Sequence, residues 1–420
     1  MKTQTQLLFR RTQRCMTLAA LLGLAALGTV AQAQFAAGNL VVTRFGDGLS
    51  APANQEAVPV FLEEYTTTGA FVQRLALPTT NSGGNHAITG SFNSAAEGAL
   101  TLSQDGRYLM YAGYNAAPGT LTVPSTPSTT TPRVVARIDG SGSIDTSTLL
   151  TDAYSAGSPR SVASTDGTNF WLGGSGANAG VRYSTLGSAG SQQLTNAPTT
   201  VRNVNLFDDR LYVSSTSAGA AGINVVGNGL PTSGIQTATL LPGFSNVSGL
   251  SSYDFVFATD AANANLYNGA NVLYVADDSN SLGGTHGGLQ KWGYDGQNWN
   301  LEYTLTNGLG ASTGLRGLTA SFVNGTATLY GITAEGTGLD GSFLPTSLVK
   351  ITDSLSALSD SGQQFSVLVT SPDNTAFRGV DFAPTAPPVP EPSTTALLLS
   401  GSLSGSVWLL RRRRRSTRSL

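Results

Sequence analysis

Arg316–Tyr330, RGLTASFVNGTATLY, consists of two alternating β-branched and apolar runs on either side of Asn324-Gly325. An Asn-Gly pair supplies the positive φ angles of a two-residue loop, so the segment reads as a β-hairpin. The pattern returns at Glu97–Tyr111 (EGALTLSQDGRYLMY), Arg160–Leu172 (RSVASTDGTNFWL) and Arg202–Val213 (RNVNLFDDRLYV), and more loosely where Tyr253–Ala258 leads to Val272–Ala276. Asp105-Gly106 and Asp166-Gly167 supply two of the turns. Starts at 97, 160, 202, 253 and 316 are 63, 42, 51 and 63 residues apart, lengths that suit a four-stranded unit with variable loops. A sixth start, Arg378–Ala383, comes 62 residues later and is cut short by Pro384. Its missing strands are available at the other end of the chain, in Leu40–Phe45, Val58–Tyr65 and Phe71–Leu77. One C-terminal strand joined to three N-terminal ones closes a ring and hides both free edges. The fold expected is therefore an all-β propeller over residues 34–383, with six blades, seven being the nearest alternative. A β-helix would need shorter and stricter repeats, and a pair of sandwiches leaves the split last unit unexplained.

The composition agrees with this fold class. Fifty glycines and 11% charged residues in 420 disfavour a helix-rich enzyme, and no stretch carries a sustained period of 3.6. The formal net charge of −2 conceals an uneven distribution: ten of the 23 basic residues lie in the first fourteen and last ten positions. Residues 34–389 keep 13 basic against 24 acidic side chains, about −11. An acidic body of this kind is a poor partner for nucleic acid.

Both ends look like processing signals. Lys2, Arg10, Arg11 and Arg14 precede the apolar run Met16–Val30 and then Ala31-Gln32-Ala33. This is the order of a secretory signal peptide spanning 1–33, to be cut by signal peptidase after Ala33. The only cysteine, Cys15, lies inside it, so the exported chain has neither disulfides nor a catalytic thiol. At the other end a Pro-rich linker over 384–392 contains Pro390-Glu391-Pro392, followed by an apolar segment over 393–410 and a tail over 411–420. The apolar segment is near the lower length for a single transmembrane helix, and Arg411, Arg412, Arg413, Arg414 and Arg415 would hold its end on the cytoplasmic face. The order of these parts resembles the PEP-CTERM sorting signal of exopolysaccharide-producing Gram-negative bacteria. The resemblance covers the last 32 residues and implies recognition by an exosortase. It implies transient anchoring in the inner membrane, cleavage near the tripeptide and transfer to the cell surface or matrix. Gly288–Leu305, with its Asp295-Gly296 turn, resembles hairpins of other exported propellers that carry this signal.

Chemistry is sparse. His86 and His286 sit in Gly-rich loops, and two histidines without cysteine make a poor zinc set. No G-x-S-x-G elbow stands in a strand-to-helix context. Asp277-Asp278-Ser279-Asn280 is the one place where calcium enters the reading, a solvated acidic turn being the simpler account. Six-bladed propellers include calcium-dependent lactonases, whose metal sits on the channel axis. The presumed inner-strand starts here are Glu97, Arg160, Arg202, Tyr253, Arg316 and Arg378, and one carboxylate among four arginines is the wrong chemistry for a cation. No cofactor is expected and no catalytic residue is assigned. If equivalent starts share one channel mouth, Arg160, Arg202, Arg316 and Arg378 form an anion-binding set for carboxylate, sulfate or phosphate, unless Asp254 and Asp381 neutralise them. Trp292 and Trp299 read as packing residues rather than a sugar-stacking pair, and Pro124–Pro132 as a mobile polar loop. The expected function is a non-catalytic surface or matrix module that binds exopolysaccharide or surface proteins. A secreted polysaccharide hydrolase or lyase is the alternative, and a displayed spacer a third reading.

Overall fold

The computed structural model describes residues 34–92, 94–279, 286–310, 314–334 and 345–385. Ala31 and Ala33, Pro390-Glu391-Pro392, the apolar segment 393–410 and the arginines Arg411 to Arg415 lie outside the described residues. Among the described residues no helix is long and apolar enough to cross a membrane.

All regular elements described are strands, apart from single 3-10 turns at Val123–Ser125 and Phe244–Asn246. The first eight strands are β1 (Leu40–Phe45), β2 (Ala57–Tyr65), β3 (Phe71–Ala76), β4 (Thr89–Ser91), β5 (Thr101–Leu102), β6 (Tyr108–Tyr114), β7 (Arg133–Asp139) and β8 (Ile144–Leu150). Then come β9 (Pro159–Ala163), β10 (Asn169–Gly174), β11 (Arg182–Thr185) and β12 (Gln192–Gln193). They are followed by β13 (Val201–Phe207), β14 (Arg210–Ser215), β15 (Gly222–Val226) and β16 (Ala238–Leu240). The next four are β17 (Ser252–Ala258), β18 (Val272–Asp277), β19 (Gly288–Tyr294) and β20 (Trp299–Leu305). The last are β21 (Leu315–Val323), β22 (Thr326–Thr333), β23 (Ser347–Ser354), β24 (Ser366–Thr370) and β25 (Ala376–Phe382).

The arrangement is propeller-like. Strands β9–β12, β13–β16, β17–β20 and β21–β24 make four separate antiparallel sheets of four strands. The remaining strands form one nine-stranded sheet rather than two separate units. The physical reason is β4, which pairs with both β2 and β6 and so welds the run β25-β1-β2-β3 to the run β5-β6-β7-β8. Within the first run β25 pairs with β1, Leu40 opposite Phe382 and Phe45 opposite Ala376. The two ends of the body thus close on each other.

The innermost strands β5, β9, β13, β17, β21 and β25 pack around a circle. Hydrogen bonds cross each junction. Thr101 donates to the Val162 carbonyl, Arg160 to that of Val201 at 3.5 Å, and Asn205 to that of Phe255 at 2.9 Å. The Leu318 N–H donates to Asp254 at 3.0 Å. Asp381 accepts from Thr319 at 2.8 Å and from the Leu102 N–H at 2.6 Å. The apolar core lies between adjoining sheets. Trp292 stacks on Phe244 with ring centroids 3.9 Å apart, and Trp299 packs against Tyr267, Tyr294 and Phe257. Both tryptophans are fully buried.

Asp381 makes closure sensitive to pH. Burial pushes its carboxyl up to about 6, against the pull of the three groups that donate to it. The folded chain therefore keeps this proton to a higher pH than the unfolded chain, whose aspartates release it near pH ~3.9. Stability tied to the protonated form is full below about pH 4 and is lost as pH rises through about 6. We expect the unfolding free energy of the wild type, less that of Asp381→Asn, to fall by about 2 kcal/mol between pH 4 and 7. Urea unfolding at fixed ionic strength measures the difference, and a constant difference would refute the titration.

Candidate functional site

In five of the inner strands the pairing register slips by one residue near the strand start. Arg160 is the extra residue of β9, between Pro159 and Ser161, which pair with Gly174 and Gly173. In β13, Arg202 and Asn203 fall between the pairs Val201–Ser215 and Val204–Val213. In β17, Tyr253 and Asp254 fall between Ser252–Asp277 and Phe255–Val275. Arg316 is the extra residue of β21, and Arg378 with Gly379 that of β25. A bulge releases its residue from the ladder and re-aims the side chain. Here four of the residues so released, Arg202, Tyr253, Arg316 and Arg378, line one cavity together with Glu97 and Asp254.

The cavity is small, about 20 Å³. The Arg202 guanidinium carbon lies 4.0 Å from the centre of the Tyr253 ring and that of Arg316 5.5 Å from the same centre. Arg316 Nε donates to Asp278 Oδ2 at 2.9 Å. Arg378 donates through Nη2 to the Phe92 carbonyl. Arg160 lies beside this group, not in it, with its guanidinium directed to the Val201 carbonyl. Arg202 differs from the others: it makes no hydrogen bond or ion pair among the described residues, and its Nε and Nη1 are buried without an acceptor. Nη1 of Arg316 is in the same condition.

Glu97 and Asp254, the two carboxyl groups that line the cavity, are engaged elsewhere. Glu97 accepts from the Tyr114 hydroxyl at 2.6 Å and from the Ser91 N–H at 3.1 Å, and burial pushes its carboxyl up. Asp254, the expected neutraliser, accepts from the N–H groups of Leu318 and Phe255 instead, and burial pushes it well up. Asp381 serves the ring junctions described above. Burial pulls the Arg202 guanidinium down to about 10, with Asp278 opposing the fall and Arg160 and Arg316 adding to it. At neutral pH it is still a cation. The cavity therefore gathers guanidinium groups and an aromatic ring beside the carboxyl groups of Glu97 and Asp254, with Asp278 pairing to Arg316, and guanidinium N–H groups that wait for an acceptor are chemistry able to hold an anion.

Several sequence expectations need correction. Asp277 and Asp278 are not a solvated turn: both are buried, Asp277 accepting from the Ser251 and Ser279 N–H groups and Asp278 from Arg316 and the Ser251 hydroxyl. Asn280 lies outside the described residues. Among those described, no group of three or more His, Cys, Asp or Glu is placed to hold a metal ion. Pro124–Pro132 is only partly solvated: Pro124 and Ser128 are buried, while Ser125, Pro127, Thr129 and Thr130 are exposed. Its anchor is Arg133, itself fully buried, which donates to the carbonyls of Thr131, Thr126 and Gly157 at 2.5, 2.9 and 2.8 Å. Neither His86 nor His286 lines the cavity. His86 donates its backbone N–H to Thr146, and His286 its own to Ser279.

No protein-family model matches the chain, and no curated protein does. Among solved structures it is similar to a putative 6-phosphogluconolactonase from Bacteroides uniformis, at 12% identity and a TM-score of 0.38 over 82% of this chain and 99% of that one. It is similar to the major allergen Mala s 1 of Malassezia sympodialis, at 11% identity and a TM-score of 0.39 over 69% and 86% of the two chains. AofleA from Arthrobotrys oligospora gives 10% identity and a TM-score of 0.36 over 84% and 93%. Likenesses at this level carry no statement about ligand or reaction.

Proposed function

We propose that the chain is an exported, non-catalytic binding module of the cell surface or extracellular matrix, and that its channel mouth takes anionic groups of an exopolysaccharide. The observation that carries the reading is Arg202, a cation in the cavity with no acceptor of its own among the described residues. In this reading the two runs of the nine-stranded sheet count as separate blades, which makes six with the four separate sheets. Export and sorting rest on the sequence: a signal peptide over 1–33, Pro390-Glu391-Pro392 for an exosortase, an apolar segment over 393–410 and Arg411 to Arg415 behind it. The module would thus pass through the inner membrane to the cell surface or matrix of a Gram-negative bacterium.

The alternative, a hydrolase or lyase, has Tyr253 and Glu97 in the same cavity to draw on. A space of about 20 Å³ is far too small for a sugar ring, and both Glu97 oxygens are engaged. The geometry favours holding one charged group over turning over a polymer.

Two experiments test the reading. Co-sedimentation of the mature protein with the host's acidic exopolysaccharide should show binding that weakens with salt, absent with a neutral glucan. Arg202→Gln should lower that affinity tenfold or more, on the order of one charge-assisted hydrogen bond. Equal binding to both polymers would reject the receptor. Sorting is read by intact mass of protein from membrane, surface polymer and medium, in hosts with and without the exosortase. Loss of the tail near Pro390 only where the exosortase is present is expected. An intact tail in the membranes of both hosts would make the chain a simple anchored protein.

A further inference from the structure

The cavity bounded by Arg202, Tyr253, Arg316 and Glu97 measures about 20 Å³. One water occupies about 10–15 Å³ by this measure, so there is room for one atom-sized guest and none for a tetrahedral oxyanion deep in the channel. Among the described residues three buried guanidinium nitrogens, Nε and Nη1 of Arg202 and Nη1 of Arg316, have no acceptor. The protein has spent its local acceptors elsewhere: Asp278 on Arg316 Nε and Ser251, Glu97 on Tyr114 and Ser91, Asp254 on two backbone N–H groups. A water would accept one or two of the waiting N–H groups and leave the charge uncompensated. A halide accepts several N–H groups at once, carries the missing charge and fits the space.

We propose that the channel cavity is a binding site for a single monatomic anion, chloride in the organism, held between Arg202 and Arg316 beside the Tyr253 ring. The guest shares Arg202 with the polymer groups of the proposed function. The inference rests on that reading of the arginines as an anion receptor but names a different guest. Chloride here is structural, since it permits two guanidinium groups to share one aromatic ring inside the closed circle of inner strands. The acidic body, about −11 over residues 34–389, gives no general attraction for anions.

The test is thermal unfolding of the full-length chain as chloride replaces gluconate at constant ionic strength. The midpoint should rise with chloride, with the logarithmic dependence of a ligand that binds only the folded state. Bromide should act like chloride, and sulfate should not. Arg202→Gln, with far-UV circular dichroism unchanged, should abolish the response, and Arg202→Lys should keep part of it. An independent check that needs no variant is a bromide-soaked crystal, in which an anomalous peak should lie in the cavity within hydrogen-bonding distance of Arg202 and Arg316. No chloride-specific shift, an equal shift with sulfate, an unchanged response in Arg202→Gln, or a cavity holding only water would each overturn the proposal. Loss of the chloride response with polymer binding intact would remove this inference alone. A full chloride response with no preference for acidic polymer would remove the proposed function alone.

Discussion

Gly379→Ala should cost the fold about 3 kcal/mol or more, the addition of one carbon at the seam that closes the ring. A Cβ at this position would stand 2.4 Å from the Leu100 nitrogen, 2.5 Å from the Gly98 carbonyl oxygen and 2.9 Å from the Ala99 carbonyl carbon. All three are backbone atoms, so no side chain can swing away to make room. Thr43 stitches the same place, accepting from the Gly379 N–H at 2.7 Å and donating to the Gly98 carbonyl at 2.7 Å. Relief of the clash must therefore move β25 away from the segment leading into β5, and with it the pairing of β25 and β1. The outcome expected is a lowered urea midpoint and early proteolysis at β25. The control is Gly325→Ala in the hairpin turn, where φ is +75° and nothing lies within 4 Å. That change meets only the left-handed backbone penalty, about 1 kcal/mol. Equal stability of the two variants would show that the ring can open without cost.

Much of this architecture is written locally. The starts at 160, 202, 253, 316 and 378 fall on β9, β13, β17, β21 and β25, because a β-branched run after an Arg or Tyr and a turn pair such as Asn324-Gly325 are short-range signals. Glu97 is legible only as part of a repeat, since the regular strand of its unit shrinks to Thr101–Leu102. What escapes the sequence depends on partners far along the chain. A bulge is a relation between two strands, so nothing around Arg202 announces that it and Asn203 share the place opposite Ser214. Asp277-Asp278 looks like a solvated turn until Arg316, 38 residues beyond Asp278, arrives as its ion partner. Asp254 and Asp381 were natural neutralisers for the arginines by proximity in sequence, yet they take backbone donors from neighbouring inner strands. The polar composition of Pro124–Pro132 signals solvent, but the carbonyls of such a stretch are acceptors, and buried Arg133 collects those of Thr126 and Thr131. The local clue for the site was the recurrence of Arg at one repeat position. Its energetic meaning, a guanidinium without an acceptor, is a tertiary property.

Lys291→Met should destabilise the protein by about 3–5 kcal/mol, the usual cost of leaving one member of a buried ion pair behind. Lys291 on β19 and Asp353 on β23 lie 3.0 Å apart with side chains 1% and 0% exposed, and they join two adjacent sheets. The ammonium group also donates to the Tyr303 hydroxyl at 3.1 Å and to the Ala357 carbonyl at 2.9 Å. Asp353 receives the hydroxyls of Tyr274 at 2.5 Å and Tyr303 at 2.8 Å, and the Gln363 amide at 2.7 Å. Methionine fills the volume of the lysine stem, so packing loss is small and the effect isolates the charge. What it leaves is a buried carboxylate with three neutral donors, and a Tyr303 hydroxyl and the Ser354 and Ala357 carbonyls that have lost a donor. The double variant Lys291→Met with Asp353→Leu removes both charges and should recover a good part of the loss, because the pair exists at the expense of two desolvations. The cycle should therefore give a coupling of about 1–3 kcal/mol. Additive losses in the double variant would mean that each side chain acts through its hydrogen bonds alone, and that the pair does not couple the two sheets.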